Sequence, residues 1–375
     1  MFEPDTPCSP SCHLAGLVIL AILLSGSIFS RPSMALSARP AAPLTEIKAI
    51  ITDKALNPVP EKKINELSMK DLSTGLRSID PHARYIPPAP AAKKFSSDLR
   101  IGLELFLYKS RIWVRPEPDG PAGKAGVPEV GELQRINDTS VADNLEQAST
   151  LIDAAIAGNE VVLDIHQTTE NSVGKFTIRP ASSPKKTVTS RTIGNYIFIR
   201  VTDFVTRETA PFFSALYSTL AKSNSRIVID LRGCPGGDIF EALEIAGMFV
   251  PPGLPLLTTY DRAGKLHSYT SPKGEKLRPP AALLIDKSTA SAAEVLAGIL
   301  KKQGLTPLIG EQSYGKCTSQ TIFNLSNGGQ LWLTTLAIHF SDDTPCSQTG
   351  VQPDLIYPDI AIARLSNIKS RIDKD

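Results

Sequence analysis

From residue 187 to the C-terminus, apolar runs of strand length alternate with longer amphipathic runs. No other feature narrows the fold as much. Residues 196–201, 227–231 and 282–285 are strand-like, and 212–221, 242–249 and 291–302 carry helical spacing between and after them. Such an order predicts an α/β layer around a largely parallel sheet. Near its end, Asn327-Gly328-Gly329 forms a hairpin turn into a long strand over 331–340.

Upstream the pattern changes twice. Between 95 and 180 short strands surround one helix: Leu103, Leu105 and Leu107 alternate, Ile112-Trp113-Val114 follows, and 145–157 reads as an amphipathic helix. Before that, Ile64, Leu67, Leu72, Leu76 and Ile79 recur as one face of a helical stretch, which Asp80-Pro81 ends. Pro87-Pro88-Ala89-Pro90 makes a stiff linker. The expected organisation is a leader over 1–35, a helical N-terminal region over 36–94, a β/α domain over 95–180, and an α/β core with C-terminal strands over 181–375.

The leader is an expectation of export. Residues 14–29 (LAGLVILAILLSGSIF) are an apolar run, short for a membrane span and suited to a signal core. Ser33-Met34-Ala35 offers a small-x-small cleavage pattern before Leu36. The segment ahead of the run holds Glu3 and Asp5 and no basic residue, so retention as a membrane anchor is the alternative. After cleavage Cys234, Cys317 and Cys346 would remain, an odd number open to one disulfide plus a thiol or to three thiols. Lysines and arginines (40) nearly balance acids (38), which gives no cationic excess for nucleic acid.

Three segments carry possible chemistry. Ser288 to Glu294 (STASAAE) follows an apolar strand and opens a helix; Ser291 with Glu294 is a capping box, yet a serine there also faces the N–H groups and dipole of a helix start. Asp230 to Gly237 (DLRGCPGG) ends a strand in a turn whose two glycines leave backbone N–H groups bare, as an oxyanion hole requires. Gly310 to Gln320 (GEQSYGKCTSQ) nearly matches a phosphate-binding loop, but Cys317 stands where Ser or Thr should bind magnesium and a strand-like run follows. The five histidines have no metal-ligand spacing, and His339 reads as a structural histidine in a strand. No metal or cofactor is expected.

Together these segments resemble the C-terminal processing (tail-specific) peptidases. Residues 72–86, with Asp80-Pro81-His82, are similar to that family's N-terminal helical region; 95–180 is similar to its PDZ domain; DLRGCPGG, STASAAE, Gly315 to Gln320 and Gly350 to Asp354 are similar to its core motifs. The resemblance implies Ser291 as nucleophile, Lys316 as general base 25 residues on, and Gln320 as the third catalytic residue. It implies Gly237 and Ala292 as oxyanion donors and Ile101-Gly102-Leu103 as the loop that holds a peptide carboxylate. Cys234, Ala293 and Cys317 depart from the family pattern, and Cys317 adds bulk beside the base.

The implied activity is an exported serine endopeptidase that recognises protein C-termini and works through an acyl-enzyme. Its lysine must titrate far below the ~10.4 of a free side chain, which burial between apolar strands would achieve. Substrates would be proteins with accessible apolar C-termini, with an adaptor or lipoprotein as a possible partner and the membrane a partner only if the leader is retained. The compartment would be a periplasm, with a plastid lumen as the alternative. The competing readings are a catalytically silent PDZ adaptor and a nucleotide-binding ATPase.

Overall fold

The computed structural model describes residues 44–88, 99–167, 171–264, 266–346 and 349–374. The expected leader, its apolar run at 14–29 and residues 89–90 of the proline-rich linker lie outside the described residues. Among the described residues no helix is long and apolar enough to cross a membrane.

The core sheet has six strands in the order Val188–Ile193, Tyr196–Val201, Arg226–Asp230, Ala282–Ile285, Leu308–Gly310 and Leu355–Ile356. Only the first pair is antiparallel; every later neighbour is parallel. A parallel sheet must be covered on both faces, and alternate residues divide accordingly. Ile197, Ile199, Ile227, Ile229, Leu283 and Ile285 pack under helices Thr209–Leu220, Ile239–Gly247 and Ala292–Lys302. Tyr196, Phe198, Val228 and Leu284 meet Ile360 and the C-terminal helix Leu365–Ile372 on the opposite face.

A second, antiparallel sheet lies beside it. Gln330–Phe340 is its spine, paired with Arg84–Ile86, Pro255–Tyr260 and, through the predicted turn, Thr318–Asn324. Three helices, Leu44–Lys54, Glu61–Asn65 and Leu72–Ile79, bury Ile47, Ile51, Leu72 and Leu76 against Leu325, Leu331 and Leu333. Each such side chain stabilises the fold by about 1.5–3 kcal/mol, so this contact fixes the sheet that carries Gln320 and into which the Lys316 loop leads. The strands at 255–270 and the C-terminal helix were not foreseen from the sequence.

Residues 99–182 form a third layer with its own apolar core, built from Leu103–Tyr108, Arg111–Pro116, Gly131–Ile136, Val161–Gln167, Ser172–Ile178 and the helix Leu145–Ala157. Leu103–Tyr108 lies at the edge of that sheet, paired on one side only. The layer is tied to the core by buried charge. Glu104 accepts from Arg115 and Arg200, and Arg200 also donates to the Arg232 carbonyl. Arg232 is clamped on both oxygens of Asp230. The neighbouring arginines hold the Asp230 carboxyl well below its ordinary pKa although burial opposes them.

Candidate active site

The turn that presents Ser291 is organised by Asp286 at the end of its strand. Asp286 Oδ1 accepts the backbone N–H groups of Ser288 and Thr289, each at 3.0 Å, and of Gly233 at 3.0 Å. One side chain therefore joins the serine turn to the glycine turn. The Ala290 N–H donates to the Cys234 carbonyl at 2.9 Å, a second tie between them. Ser291 itself sits at φ +56°, ψ −122°, just ahead of the helix Ala292–Lys302. A non-glycine residue there costs about 1–3 kcal/mol and persists only where its surroundings impose it. Gly236 is part of the imposition: a Cβ on it would lie 2.7 Å from the Ser291 Cβ and 2.6 Å from the Ala290 carbonyl oxygen.

Two backbone donors face the same space. Phe204 takes the Asp238 N–H and donates its own to the Gly236 carbonyl, and among the described residues nothing accepts the Gly237 N–H. Ala292 opens its helix, where the N–H has no partner one turn back. Both residues line, with Ser291, a cavity of about 440 Å³ whose other walls include Phe240, Val295, Gln320, Ile322 and Trp332. That surface sets the Ser291 hydroxyl beside Gly237 and Ala292, among apolar walls and the hydroxyls of Thr206, Thr318 and Ser319.

Lys316 arrives from the other side, on the loop before Thr318–Asn324. Glu294 governs that loop. It is fully buried; its Oε2 accepts from the N–H groups of Ser291 and Lys316, both at 2.9 Å, and its Oε1 accepts from the Gly315 N–H at 2.6 Å and the Ser313 hydroxyl at 2.5 Å. The Ser291 and Lys316 amides thus lie within two hydrogen-bond lengths of each other. From the sequence Glu294 is only a helix cap; the cap is present, and its other three contacts come from residues 19 to 22 positions away.

The Lys316 side chain is half-buried and lines a second cavity of about 440 Å³ with Asp80 and His82; Thr318 borders both cavities. Burial lowers its pKa, the Arg84 charge lowers it further, and Asp80 and Glu294 act in the opposite sense. His82 is likewise pushed down, first by burial and then by Lys316. Among the described residues no hydrogen bond joins the Lys316 amine to the Ser291 hydroxyl. Gln320 lines the serine's cavity, its Nε2 donating to Thr318 and Thr334 and its Oε1 remaining as an acceptor.

The remaining sequence assignments fall elsewhere. Ile101, Gly102 and Leu103 lie in the third layer, Gly102 at φ +64°, with the Gly102 carbonyl accepting from Glu117 and the Ile101 carbonyl from Ala122. Leu103 borders a cleft between that layer and the core, opposite Gly233 and Pro235. Cys234 is buried and free, its thiol pushed up to about 12 by burial. Cys317 does not crowd Lys316: its side chain points into the core and forms a disulfide with Cys346. The phosphate-loop reading fails on context, because a strand and not a helix follows the loop. His339 packs at a tilt on Tyr260 and bonds Asp343, and it also borders the Lys316 cavity. Among the described residues no group of His, Cys, Asp and Glu converges as a metal site.

The chain thus combines a mixed α/β fold with a serine turn, a glycine turn and a tethered lysine loop. Residues 195–357 match the model of peptidase family S41. The carboxy-terminal processing protease CtpB of Bacillus subtilis (strain 168) is 28% identical over 316 residues, covering 82% of this chain and 65% of that protein. CtpA of the same organism is 28% identical over 284 residues, 74% of this chain and 60% of its own length. The chain thus spans somewhat less than two thirds of these relatives. In fold it is similar to the photosystem II D1 C-terminal processing protease, with a TM-score of 0.56 at 22% identity over 84% of this chain and 92% of that one.

Proposed function

We propose that the chain is a serine endopeptidase that cleaves proteins recognised by their C-termini, with Ser291 as nucleophile and Lys316 as general base. The observation that carries this reading is the Glu294 carboxyl group, which holds the backbone of both residues on one oxygen. In the proposed reaction Ser291 Oγ attacks the scissile carbonyl carbon and its proton passes to neutral Lys316. The carbonyl oxygen becomes an oxyanion on the N–H groups of Gly237 and Ala292. Lys316 returns the proton to the leaving amine, and water then hydrolyses the acyl-enzyme by the same route. Gln320 Oε1 is suited to accept from the lysine amine and aim it without adding charge.

Tail recognition rests on the third layer, which we read as a PDZ domain. Its edge strand Leu103–Tyr108 has one free side, and Ile101-Gly102-Leu103 opens that strand as a carboxylate loop would. The apolar wall of the serine cavity favours apolar residues beside the scissile bond. Export through the N-terminal apolar run, action in a periplasm or plastid lumen, and delivery by an adaptor or lipoprotein belong to the same proposal. A silent adaptor is the second reading, and the separate cavities of Ser291 and Lys316 are what favour it.

One experiment divides them. An unstructured reporter with an apolar C-terminus is incubated with wild type, S291A and K316A, and again with its C-terminus amidated. The proposal expects cleavage by wild type only, reduced about 10³-fold or more in each variant and weakened by amidation. Tight binding of the free tail with no turnover by wild type would establish the adaptor instead.

A further inference from the structure

We infer that the Cys317–Cys346 disulfide is a positioning clamp for the catalytic base, fixing the loop that ends in Lys316 to the strand edge from which it departs. The inference rests on the reading of Lys316 as base.

The strand Thr318–Asn324 pairs with Gln330–Phe340 from Thr318 opposite Ala337 onward. Its ladder therefore orders nothing N-terminal to Thr318, and Lys316 lies beyond its reach. Where Thr318 leaves that edge another segment takes it up: the Cys346 N–H donates to the Ile338 carbonyl at 3.0 Å, and the Phe340 N–H to the Thr344 carbonyl at 2.9 Å. Cys317 and Cys346 are thus successive neighbours along one edge of one strand. Their Cα atoms are 5.0 Å apart, within the span a disulfide bridges. Both side chains are nearly fully buried.

The base loop has two anchors, of different kinds. Glu294 takes the N–H groups of Gly315 and Lys316 from the core side. The disulfide holds the very next residue covalently from the sheet side, 29 positions along the chain from its partner. Either anchor alone leaves the loop a pivot; together they fix the direction in which the Lys316 side chain starts. The groups around that side chain are Asp80, His82 and Arg84 from the N-terminal region and Glu294 from the core. A loosened loop would move the amine outward from these and toward water, restoring its ordinary basicity. Because both sulfurs are buried, a reductant reaches them only when the segment opens, which makes this a standing clamp and not a fast switch. When a dithiol does reduce it, two electrons and two protons convert the S–S bond to two thiols while the dithiol closes to its own disulfide.

The test uses the full chain. An unreduced proteolytic digest is searched by mass spectrometry for the Cys317–Cys346 cross-linked peptide. Reporter cleavage is then followed against pH for wild type, wild type held in a dithiol, C346S and K316A, below the melting temperature of each. The clamp predicts the cross-linked peptide, a kcat lowered about tenfold with KM little changed in both unclamped forms, and an acid limb moved to higher pH. Two free thiols in the native chain, or unclamped forms with the wild-type limb and kcat, would overturn it. Using reduction beside C346S guards against a variant that merely misfolds. K316A separates the two claims: if it is inactive while unclamped forms are unaffected, the clamp falls and the base stands. If K316A is as active as wild type, the base assignment falls and takes the clamp with it.

Discussion

Ser291 and Lys316, the proposed nucleophile and base, sit on either bank of the Glu294 carboxyl group, and they are held there by different means. Ser291 is placed by backbone: a strained residue at a helix start, pressed by Gly236 and fed by a turn that Asp286 ties to the glycine segment. Every part of that bank comes from the parallel core between Asp230 and Glu294. Lys316 is placed by side chains from afar: Glu294 from the core, Cys346 from the C-terminal strands, and Asp80, His82 and Arg84 from the N-terminal helical region. A backbone-built element is fixed as soon as its layer folds. One assembled from remote side chains is tunable, and each tether can be cut separately.

Glu294 is where the banks meet, so cutting it should do the most damage. E294A strands four donors at once, the Ser313 hydroxyl buried and three backbone N–H groups partly so, and leaving such groups unpaired costs about 1–3 kcal/mol apiece when they are not relieved by water. A stability loss of about 3–5 kcal/mol in denaturant titration is expected, together with loss of measurable cleavage. E294Q keeps the shape and one acceptor oxygen. It should stay folded while cleavage falls about 10²-fold. An E294Q enzyme with wild-type turnover would mean the two banks find each other without the shared carboxyl.

The next effect probes the serine bank by its backbone. Gly236 lies at φ +96° against the Ser291 turn. In G236A the added methyl must displace Ser291 or Ala290, and we expect about 2–4 kcal/mol of destabilisation and a lower rate of labelling by a fluorophosphonate. Labelling at the wild-type rate would show that the turn is held by the Asp286 bonds alone.

This contrast also explains what could be read from the chain. The helix over 145–157, the strands at 196–201 and 282–285 and the 327–329 turn emerge at their expected places, because each follows from local periodicity and turn chemistry. The strand, turn and helix start around Ser291 were legible for the same reason, being consecutive in sequence, whereas its role as nucleophile came from the family resemblance and stands as a proposal. Glu294 was half legible, as a cap, since its contacts to Ser313, Gly315 and Lys316 depend on how two sheets meet. The strand pair at 255–270 has no such excuse of distance; Leu266–Thr270 carries a histidine, a serine and a threonine and lacks the continuous apolar run that marks the core strands. The Cys317–Cys346 pairing could be posed from the sequence as one option among several, and only the shared edge of Gln330–Phe340 selects it.

The smallest effects expected are the most diagnostic of the lysine bank, because they have opposite signs. The proposed mechanism requires neutral Lys316, so activity should rise with pH through the folded pKa of that side chain, which lies below the ordinary lysine value. Asp80 favours the protonated amine, and Arg84 disfavours it. In D80N the amine loses protons more readily, and the acid limb should move to lower pH. In R84Q it holds them more firmly, and the limb should move to higher pH. Arg84 is exposed, lying over the Trp332 ring, so added salt should shrink the R84Q displacement more than that of D80N, whose carboxyl is half-buried and bonded to the N–H groups of Thr334 and His82. Opposed displacements would show that the N-terminal helical region sets the working pH of the base. Displacements of one sign, or none, would reduce that region to a prop beneath the sheet.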